Sequence, residues 1–406
     1  AVALQAQHPQ RYRTLFYAHE VAPVRRIVER HPGHDVMFYN ALRAAADGDL
    51  YLEHVFGPQH DYHKYAVVEA ARHCDGLLAV GHRVVDELRF VNRDFDDADI
   101  MLAYNGVPSR PIKLEDRQAS RARVGAYCEN LLGWRPDRVF THVTRMAQSK
   151  AMWRDVDVLM ALDEKFVAHG QRAVMLVLST DQPRRSVADV LHMEQTWDWP
   201  LTHREGPPDL SPGEARYYQW VQAFNARARN TRIIYINQFG FGRERGGRRV
   251  PEDLEFLDIR RASDVEFGLS LYEPFGISPL ETLTYGGLCL VSTTCGCTGF
   301  LKKVMGTKRV PNVILANYID QVRRPRTVKD SLAIEADERR EVEVKLAEQL
   351  ADQVFKRLPQ SPEDEAKLVQ AGHGLAKEMG WDVVAERFVF PVIRRACARR
   401  RILSVA

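Results

Sequence analysis

The chain has 406 residues, 45% of them apolar, enough to bury two cores of ordinary size rather than one oversized core. Its 57 Lys and Arg against 54 Asp and Glu leave a net charge of +3, which argues against a disordered polyelectrolyte or a nucleic-acid coat yet tolerates an anionic ligand. No apolar run approaches the roughly 18 residues of a bilayer span, the first residues lack a signal-peptide layout, and six scattered cysteines make no disulfide framework, so a soluble cytoplasmic protein without nucleic-acid or membrane partners is expected.

In chain order, the first 110 residues predict a strand over 14–18, a helix over 62–73, a strand over 76–80, a helix over 84–90 and a strand over 99–104, closed by Asn105-Gly106-Val107-Pro108. Three strands make a thin sheet, since a doubly wound domain carries about five or six. Residues 1–110 therefore read as the second half of a Rossmann-like domain. The missing strands are either truncated or supplied by a second polypeptide or a homo-oligomer, because an open parallel edge is ill suited to water.

A charged helix over 111–129 leads into a longer alternation. Strands are expected over 139–145, 173–179, 231–236, 265–271 and 288–293. Helices are expected over 155–169, 214–229, 253–261 and 279–285, the last ended by Gly286-Gly287. Such alternation implies an α/β domain, here 111–380, whose parallel sheet is covered on both faces and whose ligands sit beyond the carboxyl ends of the strands. The tail reads as helices over 338–355, 361–378 and 381–395, with 381–406 as a closing segment. The run 243–249, Arg-Glu-Arg-Gly-Gly-Arg-Arg, is the candidate mobile loop.

The segment Tyr272-Glu273-Pro274-Phe275-Gly276-Ile277-Ser278-Pro279-Leu280-Glu281 follows a buried strand and enters a helix. Gly276 permits close backbone approach, Ser278 suits an N-cap and Pro279 the first helical position, so the helix start favours a phosphate. Ser278 and Glu281 also fit a capping box that does no chemistry. Thr144-Arg145-Met146-Ala147-Gln148-Ser149-Lys150 places a guanidinium fork and an ammonium on a strand-to-helix loop, where they can hold an anionic leaving group or merely decorate a surface.

Taken together, these runs and the Asn105-Gly106-Val107 turn resemble the retaining nucleotide-sugar glycosyltransferases of the GT-B fold, which have two facing Rossmann-like domains. Phe16-Tyr17-Ala18-His19-Glu20, Val36-Met37-Phe38-Tyr39-Asn40, Tyr62-His63-Lys64-Tyr65 and Ala70-Ala71-Arg72-His73-Cys74 sharpen the likeness toward glycogen synthases of the fungal and animal type, in order over most of 14–300. Thr144 stands where that family carries glycine. Its glycine-rich amino-terminal loop and the arginine-rich helix of its regulated members have no counterpart here. The run 381–389 resembles the closing helix that crosses back to the first lobe.

The resemblance implies a glucosyl transfer from UDP- or ADP-glucose to a glucan or other sugar acceptor. It places Glu273 against the transferred sugar, Glu281 on the nucleotide ribose, and Arg145 and Lys150 on the diphosphate. Phe275, Gly276, Ile277 and Ser278 would face sugar and phosphates, and His19 would reach across from the other lobe. No cofactor, metal or protein nucleophile is expected, because the departing phosphate takes the acceptor's proton. Tyr272 either stacks on a base or sugar or packs beneath the loop. His19 beside Glu20 also fits a surface ion pair. His60, Asp61 and His63 form an incomplete metal set, Cys295-Gly296-Cys297 reads as a glycine-rich turn or as a redox or zinc pair, and Arg394, Arg395, Arg399, Arg400 and Arg401 as a solvated helix end or an anion site. Two alternatives remain: a non-catalytic subunit binding sugar or nucleotide, and a fragment of an enzyme completed by another chain.

Overall fold

The computed structural model describes residues 1–8, 11–181, 185–238, 240–322 and 325–403, and side chains up to residue 398; Arg399, Arg400 and Arg401 of the predicted cluster lie outside the described side chains. Two parallel sheets organise the chain. The first joins β1 (Leu15–Ala18), β2 (Gly76–Ala79) and β3 (Ile100–Leu102) in that order, with Leu15 opposite Gly76 and Leu77 opposite Ile100. Among the described residues β1 is hydrogen-bonded on one side only, and Leu15 on it is 40% exposed.

The second sheet has six strands: β4 (Arg138–Arg145), β5 (Ala173–Thr180), β6 (Thr231–Ile236), β7 (Val265–Gly268), β8 (Leu288–Ser292) and β9 (Val313–Ala316). Their order is β6-β5-β4-β7-β8-β9, all parallel. Residues Ala173, Val174, Met175, Leu176 and Val177 are all fully buried, the continuous apolar run expected of a strand covered on both faces. The direction of the order reverses between β4 and β7, so the crevice for a ligand opens above their carboxyl ends.

The helix Met152–His169 links β4 to β5, and Pro212–Arg227, begun by the Ser211 and Glu214 capping box with Pro212 in the first turn, links β5 to β6. The closing helices double back: Val392 and Ala396 of Phe390–Leu403 lie beside Gly76 of β2. Within the run 243–249 lies a short helix, Arg243–Gly246; Arg249 is tied to Asp198 at 2.7 Å and Glu194 at 3.3 Å, and Arg243 to Glu252 at 3.1 Å. Among the described residues no helix is long and apolar enough to cross a membrane.

The lobes meet through a buried polar knot. Arg154 donates to Asp35 at 2.8 and 3.0 Å and to Glu343 at 2.8 Å, and its guanidinium lies 3.7 Å from the centre of the Tyr318 ring. All three charged side chains are shut from solvent. A buried charge is tolerated only where its hydrogen-bonding capacity is matched, as here. Nearby, Tyr104 stacks on Phe300 with ring centres 4.1 Å apart. Gly81 of the first lobe approaches the second so closely that a Cβ on it would fall 2.9 Å from the Gly296 Cα. The lobes are therefore packed against each other around the crevice.

Candidate active site

A cavity of about 650 Å3 occupies the crevice above β4 and β7, roofed by the first lobe. From β4 come His142, Thr144 and Arg145; from the loop after β7, Ser270, Glu273, Phe275, Gly276, Ile277 and Ser278; from the first lobe, His19, Glu20 and Arg25. Eight of the ten residues singled out for binding or chemistry from the sequence therefore share one wall or face it.

Lys150 reaches the site because β4 runs into a short 3-10 turn, Gln148–Lys150, followed by Ala151 at φ 48°, a left-handed conformation rare for a residue with a Cβ. The turn is braced on both sides. Arg25 donates to the Ser149 hydroxyl at 2.9 Å, the Ser149 amide donates to Glu29 at 3.1 Å, and the Leu271 amide donates to the Ser149 carbonyl at 2.8 Å. So placed, the largely buried Lys150 ammonium donates to the Glu273 carboxylate. Glu273 is fixed in turn by its backbone, whose carbonyl accepts from the Gly296 amide at 2.9 Å, and Gly276 takes φ 85°, which lets the loop fold under it. Arg145 is exposed and makes no ion pair among the described residues, so its charge is available to a ligand.

His19 lines the cavity with its ring 4.2 Å from that of Tyr17, and burial pushes its pKa down, favouring the neutral imidazole. The ion-pair alternative for it is overturned, because Glu20 pairs with Arg25 at 2.8 Å instead. Ser278 is not the N-cap: it is the first helical residue, Ile277 precedes it as cap, and its hydroxyl donates to Glu266 at 2.6 Å. The capping-box alternative fails with it. Glu281 pairs with Arg260 at 3.2 Å, half-buried, one turn past the cavity wall, and burial raises its pKa against the pull of Arg260. Glu266 explains the arrangement, since this buried carboxylate also accepts from the Val143 amide at 2.9 Å and from Arg260 at 2.6 Å, tying β4, β7 and the loop together.

Tyr272 is a correction. Its ring is buried, Arg25 lies 5.0 Å from the ring centre, and its hydroxyl accepts from the Val21 amide at 3.2 Å and donates to Glu87 at 3.0 Å. It plugs into the first lobe, so the base-stacking role is closed to it. Cys295 and Cys297 are buried thiols whose pKa values burial raises, which removes thiolate character. His60 faces Glu53 at 3.3 Å while Asp61 pairs with Arg26 at 2.6 Å.

Sequence reasoning named Glu20 only as a partner for His19, and missed Arg25 and the pair of His142 with Asp155, whose Nδ1 and Oδ2 are 2.6 Å apart. No local pattern announces that pair, since one residue is mid-strand and the other one turn into a helix. A second cavity, about 720 Å3, lies behind the 146–148 loop against Trp153 and Trp220. Several of its charges are already matched, Arg340 with Asp157 and Arg339 with Glu343, and it lacks the facing carboxylate and ammonium of the crevice.

No protein-family model matches the chain, and no curated protein does. Among solved structures, a UDP-forming α,α-trehalose-phosphate synthase from Burkholderia xenovorans is similar with TM-score 0.53 and 12% identity over 97% of this chain and 71% of that one. A second such synthase, from Burkholderia vietnamiensis, gives TM-score 0.52 and 12% identity over 97% and 72%. At this identity the likeness shows the fold: two Rossmann-like domains in the GT-B arrangement, the first one small.

Proposed function

We propose that the chain is a retaining glycosyltransferase that moves a glucosyl unit from UDP- or ADP-glucose to a glucan or other sugar acceptor, in the manner of a glycogen synthase. The observation that carries this reading is the contact of Lys150 with Glu273 at the point where the strand order reverses, with Arg145 unpaired beside it. Arg145 and Lys150 bind the donor diphosphate and stabilise the charge that grows as its bond to the sugar breaks. Glu273 lies against the transferred sugar, where a carboxylate stabilises oxocarbenium character. His19 holds the sugar from the other lobe, and Glu281, once drawn from Arg260, binds the ribose hydroxyls. The departing phosphate oxygen takes the acceptor's proton on the face it leaves, so the new bond keeps the anomeric configuration without a metal or a protein nucleophile.

The single-sided β1 favours a second reading, in which the chain binds nucleotide sugar without turnover or works only when another polypeptide completes the first sheet. The test is to incubate the chain with UDP-glucose or ADP-glucose and a maltooligosaccharide, and follow nucleoside diphosphate release and product anomer by NMR. An α-linked product lost in Glu273→Ala supports transfer with retention. A β-linked product, or equal turnover in the variant, contradicts it, and donor binding without release favours the second reading.

A further inference from the structure

The crevice floor contains a histidine that this reading has not used. His142 sits three residues before Arg145 on β4, and its side chain is nearly shut from bulk solvent yet lines the cavity together with Lys150, Phe267, Gly268 and Ser270. Its Nδ1 is 2.6 Å from Asp155 Oδ2, below in the helix Met152–His169. A carboxylate at Nδ1 fixes the tautomer: Nδ1–H donates to Asp155, and Nε2 carries the lone pair. No described residue bonds Nε2, which leaves it as the ring nitrogen available to the crevice.

A purely architectural pair would be expected to leave nothing unsatisfied. Here Asp155 Oδ1 is buried with no hydrogen-bond partner, so the carboxylate has capacity left for more positive charge on its neighbour. The groups that face the pair are mixed. Arg154 lies beside Asp155 in the helix, Glu266 approaches from β7 and Tyr217 from the helix Pro212–Arg227, while Arg145, Lys150 and Glu273 face it from the crevice. Burial raises the pKa of Asp155 and His142 opposes that shift. The crevice wall carries Arg25, Arg145 and Lys150 against the carboxylates Glu20 and Glu273, so an incoming polyanion adds negative charge beside the imidazole.

We propose that His142 is a further binding residue of the crevice, a neutral imidazole that takes up one proton at Nε2 when a nucleoside diphosphate enters and then donates that N–H to a diphosphate oxygen, with Asp155 balancing the charge. The inference rests on the nucleotide-sugar reading and deepens it. The proton comes from solvent and no covalent bond of the ligand changes. The same hydrogen bond would strengthen as the diphosphate leaves the sugar and gains charge.

Titration of UDP and of ADP into the full chain at about pH 8, in buffers of different ionisation enthalpy, reads the protons taken up per nucleotide bound. The chain should take up a substantial fraction of one proton. His142→Gln should abolish the uptake and weaken binding about tenfold, and Asp155→Asn should reduce the uptake. His192, an exposed histidine outside the crevice, is the control: His192→Gln should keep the uptake. Binding to the unaltered chain without uptake overturns the proposal alone, whatever the variants do, as does uptake that survives in a folded His142→Gln. No binding of either nucleotide overturns the transferase reading and the proposal with it.

Discussion

The phenol of Tyr272 donates to the carboxyl group of Glu87 at 3.0 Å, across the boundary between the lobes and one residue before Glu273. Tyr39 donates to the other Glu87 oxygen at 2.9 Å. Burial pushes the Glu87 pKa up from 4.5 to about 8, against the two tyrosine hydrogen bonds and Arg83. A raised folded-state value means that the native chain holds this proton where the unfolded chain releases it. The stability contributed by the proton is full below about pH 4.5 and is lost as pH rises toward 8. Glu87→Gln cannot ionise, so its urea midpoint should gain on the unaltered chain as pH goes from 5 to about 8. A difference that stays constant with pH would refute the assignment.

The two carboxylates of the loop should separate in kinetics. Glu273→Ala should abolish transfer, by at least about a thousandfold, with the circular dichroism unchanged, because it removes charge needed only in the transition state. Glu281→Gln should mainly raise KM for the donor. Equal activity in both variants removes the site assignment.

Asp35 and Arg154 join the lobes in a fully buried, two-pronged ion pair. Asp35→Asn should cost about 3–5 kcal/mol, because Arg154 would keep its charge with only Glu343 to meet it. Denaturant unfolding followed by tryptophan fluorescence checks this. A loss below about 1 kcal/mol would mean that the knot is open to water in solution.

Ala151 occupies a left-handed conformation immediately after Lys150. That geometry costs an alanine about 1–2 kcal/mol, part of which glycine returns in the unfolded chain. Ala151→Gly should therefore stabilise the chain by about 0.5–1 kcal/mol, and destabilisation would show that the turn is unstrained.

Much of this arrangement was legible in the sequence. The strand over 231–236 coincides with β6, and β4, β5 and β8 fall within a residue or so of expectation, because their apolar, β-branched runs are bounded by clear turns. The helix His34–Ala46 was not predicted, since His34 through Ala41 are all buried and so carry no 3.6-residue alternation of apolar and polar positions. β9 escaped because it is four residues long at the sheet edge. At the site, Lys150 and Glu273 are on short motifs and could be named. The roles of Tyr272 and His142 depend on Glu87, Val21 and Asp155, contacts that only the tertiary fold creates. Ser278 fits the N-cap pattern, yet Glu266 and Arg260 claim its hydroxyl, a tertiary competition no local spacing reveals.

The transferase reading depends on the crevice above β4 and β7 binding a nucleoside diphosphate through Arg145. Calorimetric titration of the purified chain with UDP, ADP and GDP, without metal and then with magnesium, tests it most directly. Metal-independent binding of at least one of them is expected, weakened about 10–100-fold in Arg145→Ala, the loss expected for a charge-assisted bidentate hydrogen bond. Binding that is unchanged in the variant, or no binding to any of the three, would contradict it.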